Sequence, residues 1–125
     1  MTNQIQVPNS KRKFDLEERT ACFGEKIIDF ARTVSSDVVN RSLINQLIRA
    51  STSIGANYLE ADGAESKRDF NHKIAICKKE AKETTHWLRM LTYTLPDKQE
   101  ELKKLWQEAH ELVLIFSAIT RRCKI

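Results

Sequence analysis

The feature that most limits the folds open to this chain is the scarcity of helix-breaking residues. Three glycines and two prolines are spread over 125 residues. Between them, apolar side chains recur at intervals of three and four residues, which places them on one face of a helix. This spacing predicts helices over residues 15 to about 34–37, about 38–61, 66–95, and from about 97 to near the C-terminus, where Cys123 is the last apolar position. Four long helices with short connections predict an all-α fold, an antiparallel up-and-down four-helix bundle.

Length and composition predict one domain with a basic arm. Residues 1–13 are polar, contain Pro8 and end in "KRK", so we expect a flexible basic arm ahead of a bundle domain over residues 14–125. The three cysteines are widely spaced without a C-x-x-C pair, which argues against a disulfide framework or a zinc knuckle. Neither a signal sequence nor an apolar run of bilayer length is found. These features predict a cytoplasmic protein with no membrane contact.

The segment "IRASTSIGANYLEADG" places small residues where a helix is expected. At 100° per residue, Ser51 and Gly55 fall on the core face, so we expect them to admit a neighbouring helix at close range. A glycine inside a helix costs about 1 kcal/mol relative to alanine, which close packing must offset. Gly63 is expected to end this helix with a positive φ. Ser66 is expected to cap the next helix by accepting a bond from the backbone N–H of Asp69.

Other faces of the helices carry residues that are unusual for a solvated surface. Opposite the core face of the second helix lie Arg49, Ser53, Asn57 and Glu60. A flank of the third helix contains Ile76, Glu80, Glu83, Trp87 and Met90, and the fourth helix is apolar nearly all round at Leu114, Ile115 and Ala118. Since monomers rarely leave contiguous apolar patches exposed, this pattern predicts self-association. The alternative is that Trp87 and Met90 form only the rim of the core.

A basic row on the third helix is the main candidate for binding an anionic partner. Its residues are Lys67, Arg68, Lys78, Lys82 and Arg89. Such a row could contact successive phosphates of RNA or DNA. The alternative is a solvated face whose cations are offset by nearby carboxylates. No exposed aromatic residue is expected within the row, so binding should follow the backbone and shape of the nucleic acid more than its sequence.

The sequence does not predict an enzyme. Glu83 and His86 have the Glu-x-x-His spacing of di-iron bundles, but they project away from the core face and lie on a single helix. No phosphate-binding glycine loop, nucleophile elbow or Cys/His dyad is present. We therefore expect no catalytic residues, no metal and no cofactor. Glu80 and Glu83 are better explained as ion-pair partners of Arg49 or of a neighbouring subunit.

The segment from Gln46 to Leu91 strongly resembles the four-helix bundle proteins encoded in intervening sequences of bacterial 23S rRNA genes. Two motifs carry the resemblance, "R-A-S-T-S-I-G-A-N-Y-x-E-A" and "K-E-A-K-E-T-x-x-W-L". It implies a bacterial cytoplasmic protein that forms a homopentameric ring. It extends to the accessory variability proteins of diversity-generating retroelements, which are basic pentamers that bind nucleic acid and a reverse transcriptase. Carried over by motif, the marked positions are Arg49, Ser53, Asn57, Glu60, Glu80, Glu83 and Trp87.

Two functions remain open at this point. The first is a non-enzymatic, homo-oligomeric protein that binds nucleic acid, RNA in particular, through basic rows contributed by each subunit. The second is a protein-binding or structural adaptor, for example for a reverse transcriptase, whose positive charge is incidental. In both, the polar residues of the second and third helices would form a network between these helices or across a subunit boundary.

Overall fold

A computed structural model describes residues 15–122 of the protein. In chain order, the helices are α1 (Leu16–Ala31), α2 (Val38–Asp62), α3 (Lys67–Thr94) and α4 (Gln99–Arg122), with a 3-10 turn (Pro96–Lys98) leading into α4. Each helix packs against the next along the chain, and a smaller contact between α1 and α4 closes the bundle. The predicted four-helix bundle is confirmed. The predicted arm over residues 1–13 and the expected position of Cys123 lie outside the described residues.

Short polar side chains define where three of the helices begin. Asp15, Asp37 and Ser66 have extended backbones, and each side chain accepts a hydrogen bond from the N–H group three residues later. The Ser66 cap was predicted, and its Oγ lies 3.0 Å from the backbone nitrogen of Asp69. Each such cap contributes about 1 kcal/mol by satisfying one of the free N–H groups of the first turn.

Two predicted helix ends differ from the structure. The first helix ends at Ala31 and not at 34–37, because the N–H groups of Thr33 and Val34 bond to carbonyls only three residues back and tighten the chain into a turn. Gly63 follows α2 with a φ of −97°, not the expected positive value. Its N–H bonds to the Leu59 carbonyl at 3.2 Å, so the last turn of α2 is completed without left-handed backbone.

The predicted small residues do admit close helix packing. Ser51 is fully buried, and a Cβ added to Gly55 would lie 3.2 Å from Oγ1 of Thr20 on α1. The Thr20 hydroxyl is itself held by a 2.7 Å bond to the Leu16 carbonyl. The α1–α2 contact therefore depends on the absence of a side chain at Gly55.

The core is a continuous apolar stripe from all four helices. Its largest fully buried side chains are Phe23, Ile27, Leu47, Ile54, Ile74, Leu88, Leu91, Leu102, Leu112 and Phe116. Burying each of them contributes about 1.5–3 kcal/mol. Cys77 belongs to this core, and burial raises the pKa of its thiol to about 12, which keeps it protonated and unreactive. Within residues 15–122, no helix is long and apolar enough to cross a membrane.

Candidate nucleic-acid interface

Charge is segregated between opposite helices of the bundle. Four of the 21 Lys and Arg residues (Lys11, Arg12, Lys13 and Lys124) fall outside residues 15–122, which leaves 17 against 17 Asp and Glu. The described bundle is therefore neutral, but α3 carries seven basic and three acidic residues, whereas α1 carries two basic and four acidic ones. Within the described residues, no Cα atom of α1 lies within 8 Å of a Cα atom of α3, so the two helices lie across the bundle from each other. One side of the bundle is basic and the opposite side is acidic.

The structure brings most of the predicted basic row together. Lys78, Lys82 and Arg89 lie within about 40° of one another around α3, and Lys67 continues this line toward the helix start. Lys78 is half-buried, and the other three are exposed. Arg68 is exposed but lies about a quarter turn away, so it belongs to a neighbouring face. The row lies along the edge of α3 that borders α4.

The cations of this row have no ionic partner in the part of the chain that the structure describes. The ion pairs there involve Arg19, Arg49, Lys73 and Lys98, and no carboxylate lies within 4.0 Å of the five predicted residues. The row is therefore not paired within residues 15–122, and a solvated face stays the alternative to a binding site. These side chains remain free to contact an external anion.

An aromatic residue beside the row was missed. Trp106 of α4 is 40% exposed and lines the same groove as Arg89 and Lys103. Its ring stacks on the imidazole of His110, with centroids 4.9 Å apart and planes 11° apart. The expectation concerned aromatics within the row itself, whereas this ring comes from the neighbouring helix. The available signal was that Trp106 falls just outside the core positions of α4.

The predicted ion pair of Arg49 is present at the opposite edge of α3. Arg49 bonds to Glu80 at 3.4 Å and also to Glu83, and its Nε donates to Gln46 at 3.1 Å. Glu83 accepts a further bond from the indole of Trp87 at 3.1 Å. Glu80 is only 8% exposed, so its pairing with the guanidinium offsets part of the cost of burying a carboxylate. These contacts join α2 to α3 within one protomer.

The remaining predicted members of the network are separate from it. The Asn57 amide donates to the backbone carbonyl of Ser53 at 2.9 Å, a bond internal to α2. Glu60 lies 2.6 Å from the ammonium of Lys73, and this hydrogen bond raises the pKa of Lys73. The structure therefore divides the seven residues into one inter-helix cluster, one local bond and one surface ion pair. A role for any of them at a subunit boundary stays a prediction.

Exposed apolar residues of the described chain include Val38 and Val39 at the start of α2, besides those on α4 and between α1 and α2. Leu114 on α4 is 53% exposed, whereas Ile115 and Ala118 are half-buried. Ile76, Trp87 and Met90 are half-buried inside the protomer. A groove between α1 and α2 was not predicted, and it is lined by Ala21, Gly24, Ile28, Thr52, Gly55, Ala56 and Leu59 together with Glu17, Thr20 and Glu25. Its signal was the spacing of small residues on both helices.

The Glu-x-x-His pair does not form a metal site. Glu83 is engaged by Arg49 and Trp87, while His86 packs edge-on against the Trp87 ring at 4.9 Å. Among residues 15–122, no group of three or more His, Cys, Asp or Glu side chains is arranged to hold a metal ion.

The chain is similar to proteins of one family. Residues 12–118 match the family model described as 23S rRNA-intervening sequence protein. The fold matches the crystal structure of a protein of unknown function from the S23 ribosomal protein family of Bacteroides thetaiotaomicron, with a TM-score of 0.72 and 30% identity over 83% of this chain and 96% of that one. No curated protein matches the chain. Since the family model spans most of the sequence, this protein belongs to the 23S rRNA-intervening sequence protein family.

Proposed function

We propose that this protein is a non-enzymatic, self-associating, cytoplasmic protein that binds RNA through the basic edge of α3. The observation that carries the proposal is the row of Lys67, Lys78, Lys82 and Arg89, which has no carboxylate within 4.0 Å among the described residues. Lysine and arginine at a surface bind phosphates by releasing the counterions condensed on the nucleic acid. Unpaired cations lose no existing ion pair when they do so.

The bundle's neutral net charge makes the location of these cations important. A neutral protein attracts a polyanion only through a face on which positive charge is concentrated. The α3 edge supplies that face, and the acidic α1 lies on the opposite side of the bundle. We expect the nucleic acid to lie along α3 and α4 and to avoid α1. The "KRK" sequence before the bundle could add further phosphate contacts.

Self-association would place several copies of the basic row, each of which binds weakly, on one assembly. The exposed Leu114 and the groove containing Ile28 and Leu59 are apolar surfaces of the kind that subunit contacts cover. In a closed ring each subunit would contribute one basic row, and the family resemblance implies five subunits. Several rows on one rigid assembly bind a long polyanion more tightly than one row, because later contacts become intramolecular.

A second candidate is an adaptor that binds another protein, for example a reverse transcriptase, without a nucleic-acid role of its own. The apolar α1–α2 groove favours it, since such a groove suits an apolar segment of a partner. The two functions respond differently to salt. Phosphate binding weakens steeply as salt rises, whereas apolar contacts change little.

The decisive experiment is the solution mass of the purified protein by light scattering after size exclusion, with and without a structured RNA at two salt concentrations. We expect an oligomer, a pentamer in particular, that gains the mass of RNA at low salt and loses it at high salt. An oligomer that ignores RNA at both concentrations would favour the adaptor. A monomer would contradict the self-association.

A further inference from the structure

A groove at the connected end of α3 and α4 combines positive charge with an exposed aromatic ring. Its volume is about 390 Å³, and its lining residues are Arg89, Thr92, Gln99, Glu100, Leu102, Lys103 and Trp106. Arg89 and Thr92 come from α3, and the others come from α4. The groove thus lies between two helices, at the end of the basic row described above.

The walls of this groove are held in place by the fold. Leu102 is 1% exposed and fixes this turn of α4 in the core. The side-chain amide of Gln99 donates to the backbone carbonyls of Thr92 at 2.9 Å and Leu95 at 3.0 Å, which ties α4 to the end of α3. The stacked imidazole of His110 supports one face of the Trp106 ring. A ring held in this way loses little freedom when a ligand stacks on it.

The charges at the groove favour an anion beside the ring. Arg89 and Lys103 are both exposed, and neither has a carboxylate within 4.0 Å in residues 15–122. The one acidic lining residue, Glu100, is exposed and accepts hydrogen bonds only. A ligand with an aromatic face, a phosphate and a polar edge that donates hydrogen bonds matches these three features together. A nucleotide whose base carries an amino group has all three.

We propose that this groove binds a single unpaired nucleotide of RNA. The base stacks on Trp106, the adjoining phosphates contact Arg89 and Lys103, and the Glu100 carboxylate accepts a bond from an amino group on the base edge. Duplex RNA cannot use this site because its base faces are covered by their neighbours. The inference rests on the proposed function and adds to it a preference for unpaired bases over backbone alone.

The test compares two probes of the same charge, a ten-nucleotide oligoadenylate RNA and an abasic strand of the same length and backbone. Wild-type protein should bind the oligoadenylate about tenfold more tightly than the abasic strand at low salt, since stacking of one base has this magnitude. Trp106→Ala should bind both probes with the affinity that wild type shows for the abasic strand. Trp106→Phe should keep most of the preference because it keeps an aromatic face.

Tyr93→Ala is the control for a second exposed ring, since Tyr93 is the most exposed aromatic residue of the described chain and lies one turn after Arg89 but outside the groove. It should leave both affinities unchanged. Equal binding of the two probes by wild type, or a preference that survives in Trp106→Ala, would overturn the inference while the proposed RNA binding stands. Failure of wild type to bind either probe would overturn both.

A second readout does not depend on removing the ring. Trp87 and Trp106 are the only two tryptophans of the chain, so in Trp87→Phe the indole fluorescence reports on Trp106 alone. Oligoadenylate should quench this fluorescence, and the abasic strand should not. Quenching by both probes alike would contradict stacking on Trp106. So would a change of solution mass on Trp106→Ala, since it would place this ring in a subunit contact.

Discussion

The two long edges of α3 carry charges of opposite sign and differ in how these charges are partnered. At the edge facing α2, Glu80 and Glu83 are paired with Arg49, and the carboxylate of Glu83 also accepts from Trp87. At the edge facing α4, Lys78, Lys82 and Arg89 have no carboxylate within 4.0 Å among the described residues. The charges at the α2 edge form ion pairs within the protomer, whereas the charges at the α4 edge are unpaired among the described residues.

This difference separates two roles that a helical wheel cannot distinguish. A paired, half-buried charge cluster fixes how α2 and α3 pack. Removing one member leaves its partner as a partly buried charge without a counter-charge, which is destabilising. An unpaired row contributes little to the fold, because like charges on one edge repel each other weakly through solvent. We therefore expect substitutions at the α2 edge to alter stability, and those at the α4 edge to alter binding.

The largest effect should come from replacing Lys78, Lys82 and Arg89 together with Gln. We expect the affinity for RNA at low salt to fall by at least about thirtyfold. The slope of log affinity against log salt concentration should become smaller in magnitude by about 2 to 3. The melting temperature and solution mass should stay the same, because these side chains have no ionic partner in the described bundle. Fluorescence anisotropy with labelled RNA at four salt concentrations measures both quantities.

The matched control is a second triple variant, in which three cations outside the row are replaced by Gln: Lys26, Arg32 and Lys104. The net charge changes equally, so a general charge effect would weaken binding to the same extent. If the two triple variants bind alike, the α3 row is not the RNA site. Undiminished binding in both would move the site to the basic segment before the bundle.

Next in size is Arg49→Ala at the α2 edge. Glu80 is 8% exposed, so removing the guanidinium leaves a nearly buried carboxylate without its cation. Since the Arg49 side chain is 47% exposed, solvent offsets part of this loss, and we expect the free energy of unfolding to fall by about 1–2 kcal/mol. Urea unfolding measures it. Lys82→Ala, one helix edge away, should change the same quantity by less than about 0.5 kcal/mol.

If Arg49→Ala and Lys82→Ala proved equally mild, the contrast between paired and unpaired edges would carry no energetic meaning. Solution mass adds a second use for the same variant. A change in oligomer size with unchanged stability would place Arg49 at a subunit boundary.

The helices were predictable because their signals are local. The spacing of apolar residues and the Ser66 cap depend on neighbours within one or two turns, and both were found where expected. Helix ends depend on finer details. The first helix ends three residues early because the N–H groups of Thr33 and Val34 bond to carbonyls three and not four residues back. The spacing of apolar residues does not predict this change.

The candidate site was only partly predictable because it is shared by two helices. The basic row could be read from α3 alone, and the Arg49 pairing could be inferred because both helices carried polar residues off the core face. Trp106 could not be assigned to the row, since a helical wheel gives the side of α4 on which it lies but not the neighbour it meets. The register between α3 and α4, which brings Arg89 beside Trp106, is set by packing of the whole core.

The smallest effect concerns the contact between α1 and α2. Here we expect steric fit and not charge to determine how a substitution changes stability. An added Cβ at Gly24 would meet Cγ2 of Thr52 at 3.6 Å, an ordinary contact, whereas one at Gly55 would meet Oγ1 of Thr20 at 3.2 Å. Gly24→Ala should therefore stabilise the protein by about 0.5–1 kcal/mol through reduced backbone freedom of the unfolded chain. Gly55→Ala also reduces the backbone freedom of the unfolded chain, but its methyl group must displace Thr20.

Thr20 has little freedom to move, since it is buried and its hydroxyl is bonded to the Leu16 carbonyl at 2.7 Å. We expect Gly55→Ala to destabilise the protein by up to about 1 kcal/mol in urea unfolding. In a Thr20→Ala background the obstructing oxygen is gone, and Gly55→Ala should become stabilising, like Gly24→Ala. A double-mutant cycle with no coupling between positions 20 and 55 would show that close packing against Thr20 is not the reason for this glycine.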